Sequence, residues 1–153
     1  MWLKTEYLSD FDEDKKAKFL SMFSICNHWL AENYSNLSID SWSKRYLSKV
    51  DMHRQVERRR NNATVLYNGL KGKVQFLFRE SDMGCPIFVP ILLSDRDRVR
   101  QSLTDNGIYC PVHWPRPNGC ESNLYDMELS LVCDQRYTEE DMKYVVSILL
   151  SLL

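Results

Sequence analysis

Residues 107–117 read Gly-Ile-Tyr-Cys-Pro-Val-His-Trp-Pro-Arg-Pro, and residues 129–137 read Leu-Ser-Leu-Val-Cys-Asp-Gln-Arg-Tyr. Each stretch begins with a short apolar run of strand length and is bounded by turn or capping residues. With the polar link between them, they hold three of the five prolines, three of the five cysteines and one of the three histidines. We therefore expect part of any functional site here.

Before this region, apolar residues recur at helical spacing. The pattern predicts a helix from about Ser9 to Asn33, a short helix ending at Leu47, and a longer helix from Asp51 to Gly72. On the first helix, one apolar face is expected to be buried, comprising Phe19, Met22, Phe23, Cys26, Trp29 and Leu30. The short helix is expected to bury Trp42, Tyr46 and Leu47. The residues expected to be buried on the longer helix are Met52, Val56, Ala63, Leu66, Tyr67 and Leu70.

The second half mixes strand and helix patterns. Strands are predicted at 74–78, 86–93, 108–112 and 129–133, with Pro90 at an edge or a bulge because proline cannot donate to a ladder. A helix after Ser94 should bury Val99 and Leu103. The closing helix begins at a capping signal, Thr138 to Asp141, and its predicted buried residues are Met142, Val145, Val146, Leu149 and Leu152.

These elements predict an α+β fold with a small, mostly antiparallel sheet and helices on one side of it. The length of 153 residues predicts a single domain, 1–153. Within it, residues 1–72 form a helical entry segment and residues 73–153 run strand-helix-strand-strand-helix.

Composition restricts the classes of partner. The hydrophobic fraction is 44%, the charged fraction 27% and the net charge -1, so no broad basic field favours nucleic acid. Arg58, Arg59 and Arg60 form the only tight basic cluster, and we interpret it as a solvated rim. No apolar run is long enough for a membrane span, and the first residues lack a signal-peptide pattern. The cysteines are expected to be free thiols in a reducing, cytoplasmic compartment.

Four residues near the central stretch could ligate zinc: Cys110, His113, Cys120 and Cys133. Their spacing, C-x2-H-x6-C-x12-C, contains only one close pair, whereas structural zinc sites usually present two. A small zinc-binding domain is therefore the lesser alternative. His113 ends a predicted strand just before a proline-stiffened loop, where a side chain can face a cleft. The competing interpretation is a histidine whose hydrogen bonds are satisfied by the backbone.

The order of several segments resembles one protein family. An Arg-Arg-Asn-Asn helix closed by Leu-Lys-Gly precedes an apolar strand, then a Ser-Asp-Arg-Asp helix and Asn-Gly-Ile-Tyr-Cys-Pro-Val-His-Trp-Pro. The chain finishes with Leu-Ser-Leu-Val-Cys-Asp-Gln-Arg-Tyr-Thr-Glu-Glu-Asp-Met. Across about residues 40–153, this series resembles the C-terminal part of fold-type I, pyridoxal-phosphate-dependent aminotransferases of the DegT/DnrJ/EryC1/StrS group.

The resemblance implies the small domain of such an enzyme, which closes over the substrate and lines one wall of its cleft. By the same resemblance, the wall residues are Tyr109, His113, Trp114 and Arg116. The family's large domain supplies the Schiff-base lysine and the phosphate-binding loop, and no lysine here has the matching context. The resemblance therefore implies no cofactor, no catalytic residue and no activity in this chain alone.

Two functions from different classes follow. The first is the small domain of an aminotransferase-like protein, whose partner is the missing large domain or a second copy of the chain. Trp2, Leu3, Tyr7 and Trp29 are candidates for an exposed association surface. The second is a non-catalytic binding or regulatory module of the same fold.

Overall fold

The computed structural model describes residues 2–35, 38–113 and 116–153, apart from the side chain of Trp2. Its contacts group the chain into two compact units, Met1–Val50 and Asp51–Leu153. This boundary differs from the predicted change at residue 72, because the long helix that ends at Leu70 packs against the sheet of the second unit. None of the described helices is both long and apolar enough to cross a membrane.

The first unit consists of helices α1 (Trp2–Asp10), α2 (Glu13–Glu32) and α3 (Ser41–Leu47). The predicted helix from about Ser9 to Asn33 corresponds to α2, which begins at Glu13. Ser9 and Asp10 instead end α1, because Phe11, with a φ of 55°, interrupts the right-handed helix. Asp12 caps α2 by accepting from the backbone N–H groups of Asp14 and Lys15.

The predicted burial of apolar residues in this unit is wrong. No described residue of the unit is buried, and Trp29 and Trp42 are 53% and 70% exposed. The reason is that α1 and α2 pack on each other as a pair, and two helices alone do not enclose a core. Half-buried Phe19 lies on α2. The exposed residues that were predicted to be buried are Met22, Phe23, Cys26, Trp29, Leu30, Trp42, Tyr46 and Leu47.

The second unit is built on a three-stranded antiparallel sheet in the order β1-β2-β3. The strands are β1 (Gln75–Phe76), β2 (Phe88–Leu92) and β3 (Glu128–Val132). Val89 and Ile91 of β2 and Leu129 and Leu131 of β3 are fully buried. This confirms the predicted α+β class with a small antiparallel sheet.

Pro90 does not lie at an edge or a bulge as predicted, because β2 is the middle strand. It pairs with Ser130 of β3, and its carbonyl oxygen accepts from the N–H of Leu77 at 3.1 Å. The nitrogen and carbonyl of a strand residue point to the same side, so the missing N–H faces the β1 side. The ladder between β2 and β3 therefore loses no hydrogen bond, and on the other side the pairing of β1 with β2 ends at Phe76.

Three helices complete the core: α4 (Met52–Leu70), α5 (Arg96–Asp105) and α7 (Glu139–Leu152). Gly69 brings α4 close to α7, because a Cβ there would lie 2.7 Å from Cγ1 of Val146. The predicted burial holds for most positions on these helices, but Met52 is exposed and Val56, Val146 and Leu152 are half-buried. The buried predicted residues are Ala63, Leu66, Tyr67, Leu70, Val99, Leu103, Met142, Val145 and Leu149.

The predicted strand at 108–112 is absent. Gly107 ends α5 with φ 75°, and the following residues form no ladder with the sheet. Pro111 has no N–H to donate, and the carbonyl of Cys110 accepts from Nε of Arg100 at 3.1 Å, so two ladder positions are lost. The order after residue 73 is therefore β1, a 3₁₀ turn (Glu80–Asp82), β2, α5, a one-turn helix α6 (Leu124–Met127), β3 and α7.

Candidate functional site

The turn between β3 and α7 is tied to the middle of α4. Asn62 is fully buried, and its side-chain nitrogen donates to the carbonyl oxygens of Asp134 at 3.0 Å and Tyr137 at 3.1 Å. Nε of Arg58 donates to the same Tyr137 oxygen at 2.9 Å. Because buried carbonyls need partners, α4 fixes the position from which α7 begins.

Arg58 and Arg59 are therefore not the solvated rim that the sequence suggested. Both are half-buried, and Nε of Arg59 donates to Oε1 of Gln135 at 2.7 Å. The arginines of this cluster bind the chain itself, and Arg60 likewise donates to the carbonyl of Gly84 at 2.6 Å. The sequence shows that these arginines form a cluster on one helix. It does not show what they bind, because their partners lie more than twenty residues away along the chain.

A buried carboxylate stiffens the same turn. Asp134 is only 5% exposed, and both of its side-chain oxygens accept from Arg136, at distances of 2.6 to 3.0 Å. Burial raises the pKa of Asp134, but the hydrogen bonds and charge of Arg136 and the charge of Arg59 outweigh it and hold the pKa below its usual value. The turn is thus cross-braced by an ion pair at neutral pH.

The start of α7 carries the predicted capping box. Oγ1 of Thr138 accepts from the N–H of Asp141 at 3.2 Å, and Oδ2 of Asp141 accepts from the N–H of Thr138 at 2.8 Å. These hydrogen bonds lower the pKa of Asp141, so the carboxylate is ionised at neutral pH. The predicted cap is confirmed, and its Asp141 carboxylate is held at the start of α7.

A cavity of about 250 Å³ opens between residues 107–110 and the first turns of α7. Three tyrosines line it: Tyr109, Tyr137 and Tyr144. The remaining lining is mainly apolar, with one carboxylate, and consists of Gly107, Ile108, Cys110, Val132, Asp141, Met142 and Val145. This cavity is the candidate functional site, because it joins the central stretch of the sequence to the capped helix.

The three predicted wall residues that the structure describes contact different parts of the second unit. Tyr109 is 73% exposed and lines the cavity. His113 is exposed, with its ring 4.5 Å from that of Phe88 in an edge-on arrangement. Arg116 is exposed and forms an ion pair with Asp126. Trp114 lies outside the described residues.

The predicted zinc ligands do not form a cluster. Cys110 and Cys133 are buried, Cys120 is half-buried and His113 is exposed. Across residues 2–35, 38–113 and 116–153, no three His, Cys, Asp or Glu side chains are placed to hold a metal ion. Burial raises the pKa of Cys110 to about 11 and that of Cys133 to about 12, which is typical of neutral, packed thiols.

Pyridoxal phosphate needs a lysine amine held in an enclosed pocket, where desolvation makes it nucleophilic. All lysines lie in described residues, and none is buried. Lys15 and Lys16 are half-buried, and the exposed ones are Lys4, Lys18, Lys44, Lys49, Lys71, Lys73 and Lys143. The lysines of this chain therefore do not fit an internal Schiff base.

The sequence matches no protein-family model and no curated protein. The structure, however, is similar to solved structures. One is a DegT DnrJ EryC1 StrS aminotransferase from Brucella abortus, with a TM-score of 0.56 and 16% identity. Another, from Streptococcus pneumoniae, is described as a sugar aminotransferase in its PMP form, with a TM-score of 0.54 and 16% identity.

The similarity is partial in both directions. It covers 64% of this chain and 31% of the Brucella protein, and 71% of this chain and 32% of the Streptococcus protein. The chain thus spans about a third of the length of the structures that it matches. At this level of identity the likeness establishes the fold, and it confirms the fold resemblance predicted from the ordered segments.

Proposed function

We propose that this chain supplies the small domain of an aminotransferase-like protein of the DegT/DnrJ/EryC1/StrS type and is inactive alone. The observation that carries the proposal is the fold shared with about a third of two such aminotransferases. An antiparallel sheet backed by α4, α5 and α7 gives a rigid body. A rigid body is what a domain needs if it is to close over a substrate as a unit.

In this proposal, the segment from Tyr109 to Arg116 forms one wall of a substrate cleft. Tyr109 is largely exposed, so its ring is available to a ligand without rearrangement. Arg116 donates to the carbonyl of Cys120 at 3.1 Å and pairs with Asp126, which orders the exit of the segment. His113 and Trp114 belong to the same wall by the family resemblance. The opposite wall and the cofactor come from a large domain.

The partner in this proposal is that large domain, either on the same polypeptide or on a separate one. A second copy of the chain is the alternative partner. Both rest on the partial coverage of the matched aminotransferases, whose remaining two thirds have no counterpart here. A non-catalytic binding module is the second candidate function, and it is favoured by the tyrosine-lined cavity within the second unit.

The proposed inactivity is tested by titrating pyridoxal phosphate into the purified full chain and recording its absorbance before and after borohydride reduction. We expect weak, unsaturable labelling spread over several exposed lysines, because no lysine amine is enclosed. The Brucella aminotransferase, treated identically, serves as the positive control. Stoichiometric labelling of one lysine in this chain would contradict the proposal.

A further inference from the structure

Three of the residues that line the candidate cavity are tyrosines. Tyr109, Tyr137 and Tyr144 line a space of about 250 Å³ and remain 73%, 37% and 48% exposed. Aromatic side chains are normally buried or half-buried, because their rings carry a large apolar area. Three rings left open around one small cavity therefore suggest a surface that is completed by a ligand.

Two of these rings are held in place by the protein. The hydroxyl of Tyr144 donates to the carbonyl of Asn106 at 3.2 Å, which ties α7 to the end of α5. The guanidinium carbon of Arg136 lies 5.5 Å from the ring centre of Tyr137, so this ring already engages one cation. Fixed rings bind with little loss of conformational freedom.

The cavity also carries one negative charge. The Asp141 carboxylate is held through Oδ2 by the N–H and the hydroxyl of Thr138, at 2.8 and 2.9 Å. Its Oδ1 accepts no hydrogen bond from the described residues. Glu139 and Glu140 follow Thr138 in the same turn, so the helix start is acidic and does not favour an anion.

These features select one class of ligand. A divalent metal needs several oxygen ligands, whereas this lining offers one carboxylate among apolar groups. A bare ammonium is strongly hydrated and gains little from apolar walls. An ammonium that carries methyl groups suits both parts of this lining, since methyl groups suit its apolar residues and a cation suits tyrosine rings and a carboxylate.

We propose that the cavity formed by Tyr109, Tyr137, Tyr144 and Asp141 binds a trimethylammonium group. The group can belong to a free small molecule or to a methylated lysine side chain, since the chemistry that is recognised is the same. The site requires neither a large domain nor pyridoxal phosphate. If the chain does not bind a trimethylammonium group, the proposed small-domain function is therefore unaffected. If the small-domain function is wrong, the proposed binding site is likewise unaffected.

The test is a titration of the full chain with choline, followed by NMR of the tyrosine ring signals at constant ionic strength. The neutral isostere 3,3-dimethylbutan-1-ol is the matched ligand, because it has the same shape without the charge. We expect saturable shifts with choline and binding of the alcohol that is weaker by about tenfold. Equal binding of the two ligands, or binding of neither, would overturn the proposal.

Variants locate the site. Tyr109→Ala should weaken choline binding by about threefold to thirtyfold, as expected for the loss of one cation–π partner. Tyr34→Ala, which removes a tyrosine that is 89% exposed in the first unit, is the control and should bind as the parent does. Unchanged binding by Tyr109→Ala would overturn the assignment.

The charge is tested by Asp141→Asn, with Glu139→Gln as the control from the same helix turn. Asp141→Asn should bind choline several-fold more weakly and the alcohol unchanged, whereas Glu139→Gln should alter neither. Because Asp141 also caps α7, the variant is judged only by the ratio of its affinities for choline and for the alcohol. A parallel titration with N-acetyl-trimethyllysine amide identifies the source: tighter binding than choline indicates a methylated protein, and weaker binding a small molecule.

Discussion

The side-chain nitrogen of Asn62 lies 3.0 Å from the main-chain oxygen of Asp134, a residue 72 positions later in the chain. Through this contact, the middle of α4 holds the turn that leads into α7. The same nitrogen reaches the carbonyl of Tyr137, so the position of one cavity tyrosine depends on Asn62. Stability and the candidate site are therefore linked at this residue.

Replacing Asn62 with alanine should destabilise the chain by about 1–3 kcal/mol, because it removes the buried hydrogen bonds that the Asn62 side chain donates to the turn. Urea unfolding followed by circular dichroism measures the change. Asn61→Ala, at the exposed neighbouring position, is the matched control and should stay within about 0.5 kcal/mol of the parent. Equal effects of the two variants would show that the contact to the turn is not formed.

Gly69 should tolerate no side chain. Gly69→Ala places a methyl group against Val146, and overpacking of this kind costs about 1–3 kcal/mol, of which better helix propensity offsets up to about 1 kcal/mol. We expect a net loss of about 1–2 kcal/mol by the same measurement. Gly84→Ala is the control, because a Cβ there meets nothing within 4 Å.

The double variant Gly69→Ala/Val146→Ala sharpens this test. Removing the valine methyl groups relieves the clash, so the double variant should be more stable than the sum of the two single effects predicts. Strict additivity would mean that α4 and α7 do not approach as closely as the structure has them.

The buried thiols should make the fold sensitive to alkali. Folding raises the pKa of Cys110 and Cys133 from about 9 to about 11 and 12, so their contribution is complete below pH 9. It is lost as the pH rises above 9, because the unfolded chain releases these protons first. Melting temperatures recorded from pH 7 to 11 should fall, and less steeply in Cys133→Ala than in Cys26→Ser.

Labelling with a thiol reagent at pH 8 tests which cysteine side chains are buried. Cys26 and Cys85, which are exposed, should react quickly, and Cys110 and Cys133 should react only as the protein unfolds. Mass spectrometry of the labelled peptides assigns each site. Fast labelling of Cys133 would contradict its burial.

The exposed apolar residues of α2 should promote self-association. Met22, Ile25 and Trp29 are 49%, 65% and 53% exposed and lie on one face of α2, and clustered apolar surface drives association. We expect dimers or larger species by light scattering, and a shift towards monomer in Trp29→Glu. Tyr34→Glu is the control, because this residue lies beyond the end of α2. A monomeric parent at high concentration would contradict the prediction.

Sequence periodicity identified α4, α5 and α7 because their apolar faces are buried by one shared core. For α2, the same periodicity predicted a buried apolar face, and this prediction is wrong. Spacing reports which side chains lie on one face of a helix, but not whether another element covers that face. The burial of Phe23 and Trp29 depended on packing that the first unit does not provide, so the local pattern could not decide it.

The site was predicted only in part. The proline-rich segment was recognised, and Tyr109 lies at the cavity, but Tyr137 and Tyr144 were not identified. Their convergence depends on the contacts of Asn62 and Arg58 with the turn at 134–137, which are separated by more than seventy residues. No pattern within a helix or a strand encodes such a long-range contact. The ordered segments as a series, in contrast, were sufficient to predict the fold.

The most direct test of the central claim starts from the native protein that contains residues 1–153, isolated from its source with any bound partner. The material is reduced with borohydride, and any pyridoxyl-lysine is mapped by mass spectrometry. If these residues supply the small domain of an aminotransferase-like protein, the labelled lysine will lie on sequence outside them, on the same polypeptide or on a partner. A pyridoxyl group on Lys71 or any other lysine of this chain, or its complete absence from the purified material, would contradict the account.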